Sequence, residues 1–364
     1  MKVAIVHYWL VTMRGGERVV DALLDLYPDA DLYTHVVDRD AITPRLAARV
    51  KGTTFVNRIP GARTHYQKLL PLMPMALERL DLSAYDLVIS SEGGPTKGII
   101  PRADALHVCY CHSPMRYVWV MPEAYLATLP AVVRSFAAWL LHRIRLWDVT
   151  TAARVDHFVA NSNTVARRIH KFWRRKATVV FPPVEVERFA IAPDGPDDYY
   201  LFASQLVGYK RADLAIQAVA GTNRRLIVVG EGGEEATLRK TAPANVVFRG
   251  RVSDEELARL YARCRALLFC AEEDFGIVPV EAMACGRPVI AFGRGGARDS
   301  VIDGVTGLFF DAQTSESLRA ALDRFEANPE QFDPVAIREH AETFARDRFV
   351  REFGTLVEDW LADQ

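Results

Sequence analysis

At 364 residues the chain exceeds the size at which a single hydrophobic core stops growing, so two domains of ordinary size are expected. It is 50% hydrophobic and 25% charged, with no low-complexity tract or internal repeat, which is the composition of a folded soluble protein and excludes a disordered one. The net charge of −1 hides an asymmetry: residues 1–180 hold 24 Lys and Arg against 15 Asp and Glu, and residues 181–364 hold 21 against 31. A basic half suits nucleic acid, an anionic membrane or a pyrophosphate-bearing substrate.

Cys109, Cys111, Cys264, Cys270 and Cys285 lie in apolar stretches, as reduced thiols of a cytosol do, and form no disulfide framework. Cys109-Tyr110-Cys111 lacks the second ligand pair of a zinc site. The N-terminus reaches polar residues too early for a signal peptide. The most apolar helical candidate, Ala131 to Trp147, is broken by Arg134, His142, Arg143 and Arg145, far short of the ~20 apolar residues a bilayer span needs. No membrane crossing is expected.

Val3 to Val6 reads as a buried strand, and Gly15-Gly16-Glu17 then opens a helix with Val19, Val20, Leu23, Leu24 and Leu26 at helical spacing. Strand, glycine turn and helix begin a doubly wound α/β domain. The turn lacks the Gly-x-Gly-x-x-Gly of a dinucleotide enzyme. A second strand follows near Asp31 to Val36, then a stretch from Arg39 to Arg79 that mixes basic residues with Tyr66, Leu and Met. That stretch suits either an anionic membrane surface or a helix packing its apolar face inward. Tyr85 to Ser90 and Ala105 to Cys111 are further strands, and the second delivers His112 to a loop at its carboxyl end, where parallel sheets bind ligands.

Arg134 to Ala153 is expected as a long helix with Phe136, Trp139, Leu140, Arg143 and Trp147 along one side, used for core packing or for membrane contact. Strand His157 to Ala160 and helix Ser162 to Phe172, capped within Asn161-Ser162-Asn163, complete the first domain. Pro182-Pro183 makes a stiff connector suited to a hinge.

The second half alternates cleanly. Strands near Tyr200–Ala203, Leu226–Val229, Val246–Phe248, Ala266–Cys270, Pro288–Ala291 and Gly307–Phe309 are separated by helical runs, which predicts a parallel sheet covered on both faces. Gly276 and Pro279 mark a turn into a helix that Gly286 ends, so Glu273 and Glu281 bracket a helix N-terminus. The free N–H groups there favour a phosphate, and the two carboxylates suit sugar hydroxyls. An exposed acidic cluster capping a helix is the alternative.

The run EDFGIVPVEAMACGRPVIA (273–291) resembles the donor-site signature of retaining glycosyltransferases of the GT-B fold, family-4 or group 1 type. Phe181-Pro182-Pro183, SQLVGYKRADLAI (204–216) and VIDGVTGLFF (301–310) continue the resemblance in the family's order. HYWLVTMRGGERVV (7–20) and CYCHSPMRYVW (109–119) are similar to a bacterial subgroup that builds O-antigen, capsule or exopolysaccharide, often with mannose. The resemblance implies an α/β fold of two Rossmann-like domains whose parallel sheets face across a cleft. Residues 1–180 are then the acceptor side, 181–345 bind the donor, and the final helix within 346–364 crosses back to the first domain.

It also implies catalytic roles for His112, Glu273 and Lys210. Gly15, Gly16, Gln205, Arg211, Arg251, Val252, Phe275, Gly276, Ile277 and Glu281 are implied on the donor, and Arg116 and Tyr117 on the acceptor side. The implied reaction moves a hexose, mannose from GDP-mannose, to a lipid-linked saccharide acceptor at the inner face of the cytoplasmic membrane. It proceeds with retention and with no metal or cofactor beyond the nucleotide sugar, and no nucleic-acid partner is implied. UDP-glucose as donor, and a catalytically silent assembly subunit, are the alternatives. Two positions depart from the pattern: Gln205 stands where the family has Arg, leaving Arg211 or Arg294 to compensate, and Val120 stands where the subgroup often has Asp.

Overall fold

The computed structural model describes residues 1–127 and 129–363, and the chain divides into two units. One comprises Met1–Phe181 together with the chain from Phe349 onward, and the other Pro182–Arg348.

The N-terminal unit is built on seven strands: β1 (Val3–His7), β2 (Asp31–Thr34), β3 (Val50–Thr53), β4 (Leu87–Glu92), β5 (Leu106–Cys111), β6 (His157–Ala160) and β7 (Thr178–Val179). All pair in parallel, in the order β3-β2-β1-β4-β5-β6-β7. The centre of the sheet is buried throughout, as a sheet covered on both faces must be. The amphipathic stripe of helix Gly15–Leu26 places Val19, Val20, Leu23 and Leu24 on one face of it. Phe349, Phe353 and Val357 of the last helix, Arg346–Ala362, join the same core, where Phe349 meets the buried Tyr110 edge-on at 5.5 Å.

The C-terminal unit carries β8 (Tyr200–Ala203), β9 (Leu226–Val229), β10 (Val246–Gly250), β11 (Leu267–Phe269), β12 (Val289–Phe292) and β13 (Gly307–Phe310). They are again all parallel, in the order β10-β9-β8-β11-β12-β13. Each strand leads into a helix, and helix Ile277–Ala284 is held at its carboxyl end by Arg338, whose guanidinium donates to the Ala284 and Phe189 carbonyls at 2.6 Å. The two halves are thus Rossmann-like, each a parallel sheet with helices on both faces.

Three expectations need correcting. The second strand stops at Thr34, and the stretch from 39 to 79 contains β3, an edge strand in which only Val50 is buried. A strand with one buried residue leaves no alternation to read. The segment leaving the first domain likewise holds a two-residue edge strand, β7, too short for any pattern. The long helix runs Ala131–Thr151, and it does not pack Phe136, Trp139 and Arg143 into a core: Phe136 is 62% and Trp139 54% exposed, and Leu141 and Ile144 make the inward contact instead. Among the described residues no helix is long and apolar enough to cross a membrane.

Candidate active site

In each sheet the strand order reverses once, between β1 and β4 and between β8 and β11, and ligands of doubly wound folds bind beyond the carboxyl ends at such reversals. In the C-terminal unit the two loops that flank the reversal are those after β8 and β11. The first runs through the 3-10 turn Gly208–Lys210, and the second carries Glu273. Lys210 Nζ is ion-paired to Glu273 Oε1, with the two side chains 15% and 19% exposed and the Tyr209 ring 5.1 Å from the ammonium. Two residues 63 positions apart therefore form one charged pair at the rim of the sheet.

The Glu273 loop is held by its neighbour after β12. Gly296 N–H donates to the Glu273 carbonyl at 2.8 Å, and a Cβ on Gly296 would lie 2.2 Å from Phe275 Cα, so only glycine allows the loops to touch. Phe275 is 3% exposed, with its ring 5.7 Å from that of Phe344, and Gly276 turns the chain into the helix with φ of 85°. Ile277 opens that helix and is half-buried. Glu281, one turn in, is only 7% exposed and accepts a hydrogen bond from the Tyr261 hydroxyl at 3.0 Å. That burial overturns the alternative of an exposed acidic cluster.

The remaining residues expected on the donor sit on the same rim of the sheet or just beyond it. Gln205 is exposed. Arg211 adopts the left-handed conformation, φ 59°, and its guanidinium grips Asp213 through two contacts of 3.0 Å. Arg294 is exposed, 5.8 Å from the Phe292 ring. Arg251 is exposed and Val252 half-buried, directly after β10.

In the N-terminal unit the register of the parallel strands assembles a second group. His7 pairs with Ser91, Ser91 with Tyr110, and His112 lies two residues past Tyr110 and so points to the same face. Ser91 Oγ lies 2.9 Å from His7 Nδ1 and 2.8 Å from His112 Nε2. The His112 loop is anchored by its own N–H, which donates to the Glu92 carbonyl at 2.7 Å. Burial of its ring, with His7 beside it, pushes the His112 pKa down to about 3, so the imidazole is neutral at physiological pH. Gly15 begins the first helix, and Gly16 leaves room for Tyr8, whose hydroxyl would be 2.2 Å from a Cβ there. Tyr8 was not read from the sequence as a site residue. It lies 6.1 Å from His112, ring to ring.

Arg116 and Tyr117 open the short helix Arg116–Trp119; Arg116 reaches Met121 Sδ at 3.8 Å, and the Tyr117 ring lies 6.1 Å from Tyr125. Behind the loop sits a buried ionic group that the sequence reading missed. Lys97 Nζ pairs with Asp148 and lies 3.7 Å from Glu92, and all three side chains are 0% exposed. Trp119 and Trp173 both donate indole N–H bonds to Asp148 Oδ2, at 2.7 and 2.8 Å. Val120, where the subgroup often has Asp, is exposed, while the acid that Trp119 meets comes from the long helix.

The Glycosyltransferase Family 4 profile matches residues 13–188, and the Glycosyl transferases group 1 profile matches residues 183–344. A GDP-mannose-dependent alpha-mannosyltransferase of Mycobacterium tuberculosis is 34% identical over 187 residues, 50% of this chain and 48% of that protein. A GDP-mannose-dependent alpha-(1-6)-phosphatidylinositol monomannoside mannosyltransferase of Mycolicibacterium smegmatis is 28% identical over 258 residues, 58% of this chain and 67% of that one. The chain thus spans about half to two thirds of the length of the curated relatives it matches. Among solved structures, Anabaena HepE in complex with UDP superposes with a TM-score of 0.73 at 17% identity, covering 99% of this chain and 100% of that one. With one profile on each half and the fold shared along its length, the chain belongs to the family-4, group 1 glycosyltransferases of the GT-B fold.

Proposed function

We propose that this protein is a retaining hexosyltransferase that moves mannose from GDP-mannose to a lipid-linked saccharide in bacterial surface-polysaccharide assembly. The observation that carries the reading is the Lys210–Glu273 pair at the reversal of the C-terminal sheet, a cation and a carboxylate poised where a sugar diphosphate belongs. As the bond between the sugar's anomeric carbon and the diphosphate breaks, negative charge grows on the leaving phosphate. Lys210 and the N–H groups opening helix Ile277–Ala284 meet that charge. The acceptor oxygen bonds to the same carbon from the same face, and its proton passes to the departing phosphate. Arrival of the diphosphate draws Lys210 from Glu273, which then receives a sugar hydroxyl, while Glu281, steadied by Tyr261, takes the ribose hydroxyls.

Two relatives named as GDP-mannose-dependent favour the mannose donor, and the UDP held by HepE favours UDP-glucose as the second reading. Exposed Val132, Phe136 and Trp139 on the long helix, beside exposed Arg134, His142 and Arg143, support contact with an anionic membrane where a lipid-linked acceptor resides. The test is thermal unfolding in the presence of GDP-mannose, UDP-glucose and ADP-glucose, followed by transfer of the best binder's sugar to a polyprenyl-linked saccharide. GDP-mannose at 100 times its Kd should stabilise the protein by about 2.7 kcal/mol. No shift with any of the three would defeat the reading, and binding without transfer would point to a silent assembly subunit.

A further inference from the structure

A hydroxyl has one proton, so Ser91, lying between two imidazoles, can donate to only one of them. The two rings therefore cannot both turn a lone pair to it, and a lone pair on one requires an N–H on the other. Which way the chain runs is decided at its far end. Nε2 of His7 is buried without a hydrogen bond and faces Glu17 Oε1 at 3.9 Å. Glu17 is 2% exposed, and its other oxygen accepts from the Arg14 N–H at 3.0 Å, which fixes the direction of the carboxylate. A negative oxygen at that distance favours a proton rather than a lone pair on the nitrogen it faces. A His7 that carries one proton, on Nε2, has an accepting Nδ1, so Ser91 donates there and accepts from His112 Nε2–H. The Nδ1 of His112 is then left with its lone pair, and among the described residues it has no protein partner.

We propose that Glu17, His7 and Ser91 are positioning residues that hold His112 as the Nε2–H tautomer, so that its Nδ1 accepts a hydrogen bond from a hydroxyl of the transferred sugar. The assignment rests on the catalytic role that the family resemblance implies for His112, taken here as contact with that sugar. The neutrality of His112, which its burial enforces, keeps Nδ1 an acceptor across the physiological range.

The experiment is two-bond proton–nitrogen correlation on the full chain with nitrogen-15 histidine, the His112 signals being assigned by their loss in His112→Asn. The wild type should show a protonated Nε2 and a bare Nδ1. Ser91→Ala and Glu17→Gln should each give a mixture of the two tautomers, and Ser91→Thr should restore the single form. With GDP-mannose or UDP-glucose as donor, Ser91→Ala should lower kcat/KM about tenfold, and Ser91→Thr should recover it, the scale of one hydrogen bond. A protonated Nδ1 in the wild type, or an unchanged spectrum in both Ser91→Ala and Glu17→Gln, overturns the proposal. The spectrum needs no substrate, so a failed transfer assay would count against the functional reading alone, and a wrong tautomer against this inference alone.

Discussion

Each unit carries a lysine paired with a carboxylate, and the two pairs live in opposite settings. Lys97, Asp148 and Glu92 are sealed, with the Trp173 ring 4.2 Å from the ammonium and two indole N–H groups on Asp148. Burial alone pulls the Lys97 ammonium down, but Asp148 and Glu92 outweigh it and hold it above its ordinary value; burial pushes the Glu92 carboxyl up. Lys210 and Glu273 keep 15% and 19% of their side-chain surface open. The sealed charges face one another and the two indoles, with no surface open to a ligand. The open pair can be drawn apart, as the proposed donor site requires. Exposure, not chemistry, separates the two groups.

That contrast fails first if the two lysines respond alike to removal. Lys97→Met leaves two carboxylates buried without their cation and should cost about 3–5 kcal/mol in urea unfolding. Lys210→Ala should change stability by about 1 kcal/mol at most, because its pair is partly open, yet cut turnover at least ~100-fold. Equal losses of stability in the two would void the distinction.

Acid sharpens it further, because the N-terminal unit also buries neutral histidines. Burial pushes His35 and His107 down to about 4 from the ordinary 6.5. Such a group takes its proton first in the unfolded chain, so stability is intact above 6.5 and falls as pH drops from 6.5 towards 4. At pH 5 each should have cost about 2 kcal/mol relative to pH 7.5, and His107→Gln should flatten that slope in urea titrations at the two pH values. The smallest effect belongs to Tyr261→Phe. Losing the bond to Glu281 should raise KM for the nucleotide sugar about fivefold, from about 1 kcal/mol, with kcat nearly unchanged.

The C-terminal unit was the more legible half because each of its six strands is a short apolar run between helices with clear starts. Ser253 caps its helix by accepting from the Glu256 N–H at 3.2 Å, as its place before three acidic residues suggests. In the N-terminal unit, β3 and β7 escaped notice because edge strands bury too little to leave a pattern. The use of the long helix's apolar face stayed open between core and membrane for a related reason: Phe136 and Trp139 recur at the spacing of a core stripe, and periodicity records which residues share a side without saying what lies against it.

Glu273, Glu281, Lys210 and His112 stand out in the sequence since each occupies a local motif at the end of a strand or the start of a helix. His7 and Ser91 are 84 positions apart, and Lys97 and Asp148 are 51 apart. Local order and hydrophobic period, which are properties of neighbouring residues, determined the alternation of strands and helices and the turns that carry the motif residues. Strand pairing and burial, which join distant parts of the chain, decided that Lys210 meets Glu273, that one serine couples two histidines, and which lysine is sealed and which left open.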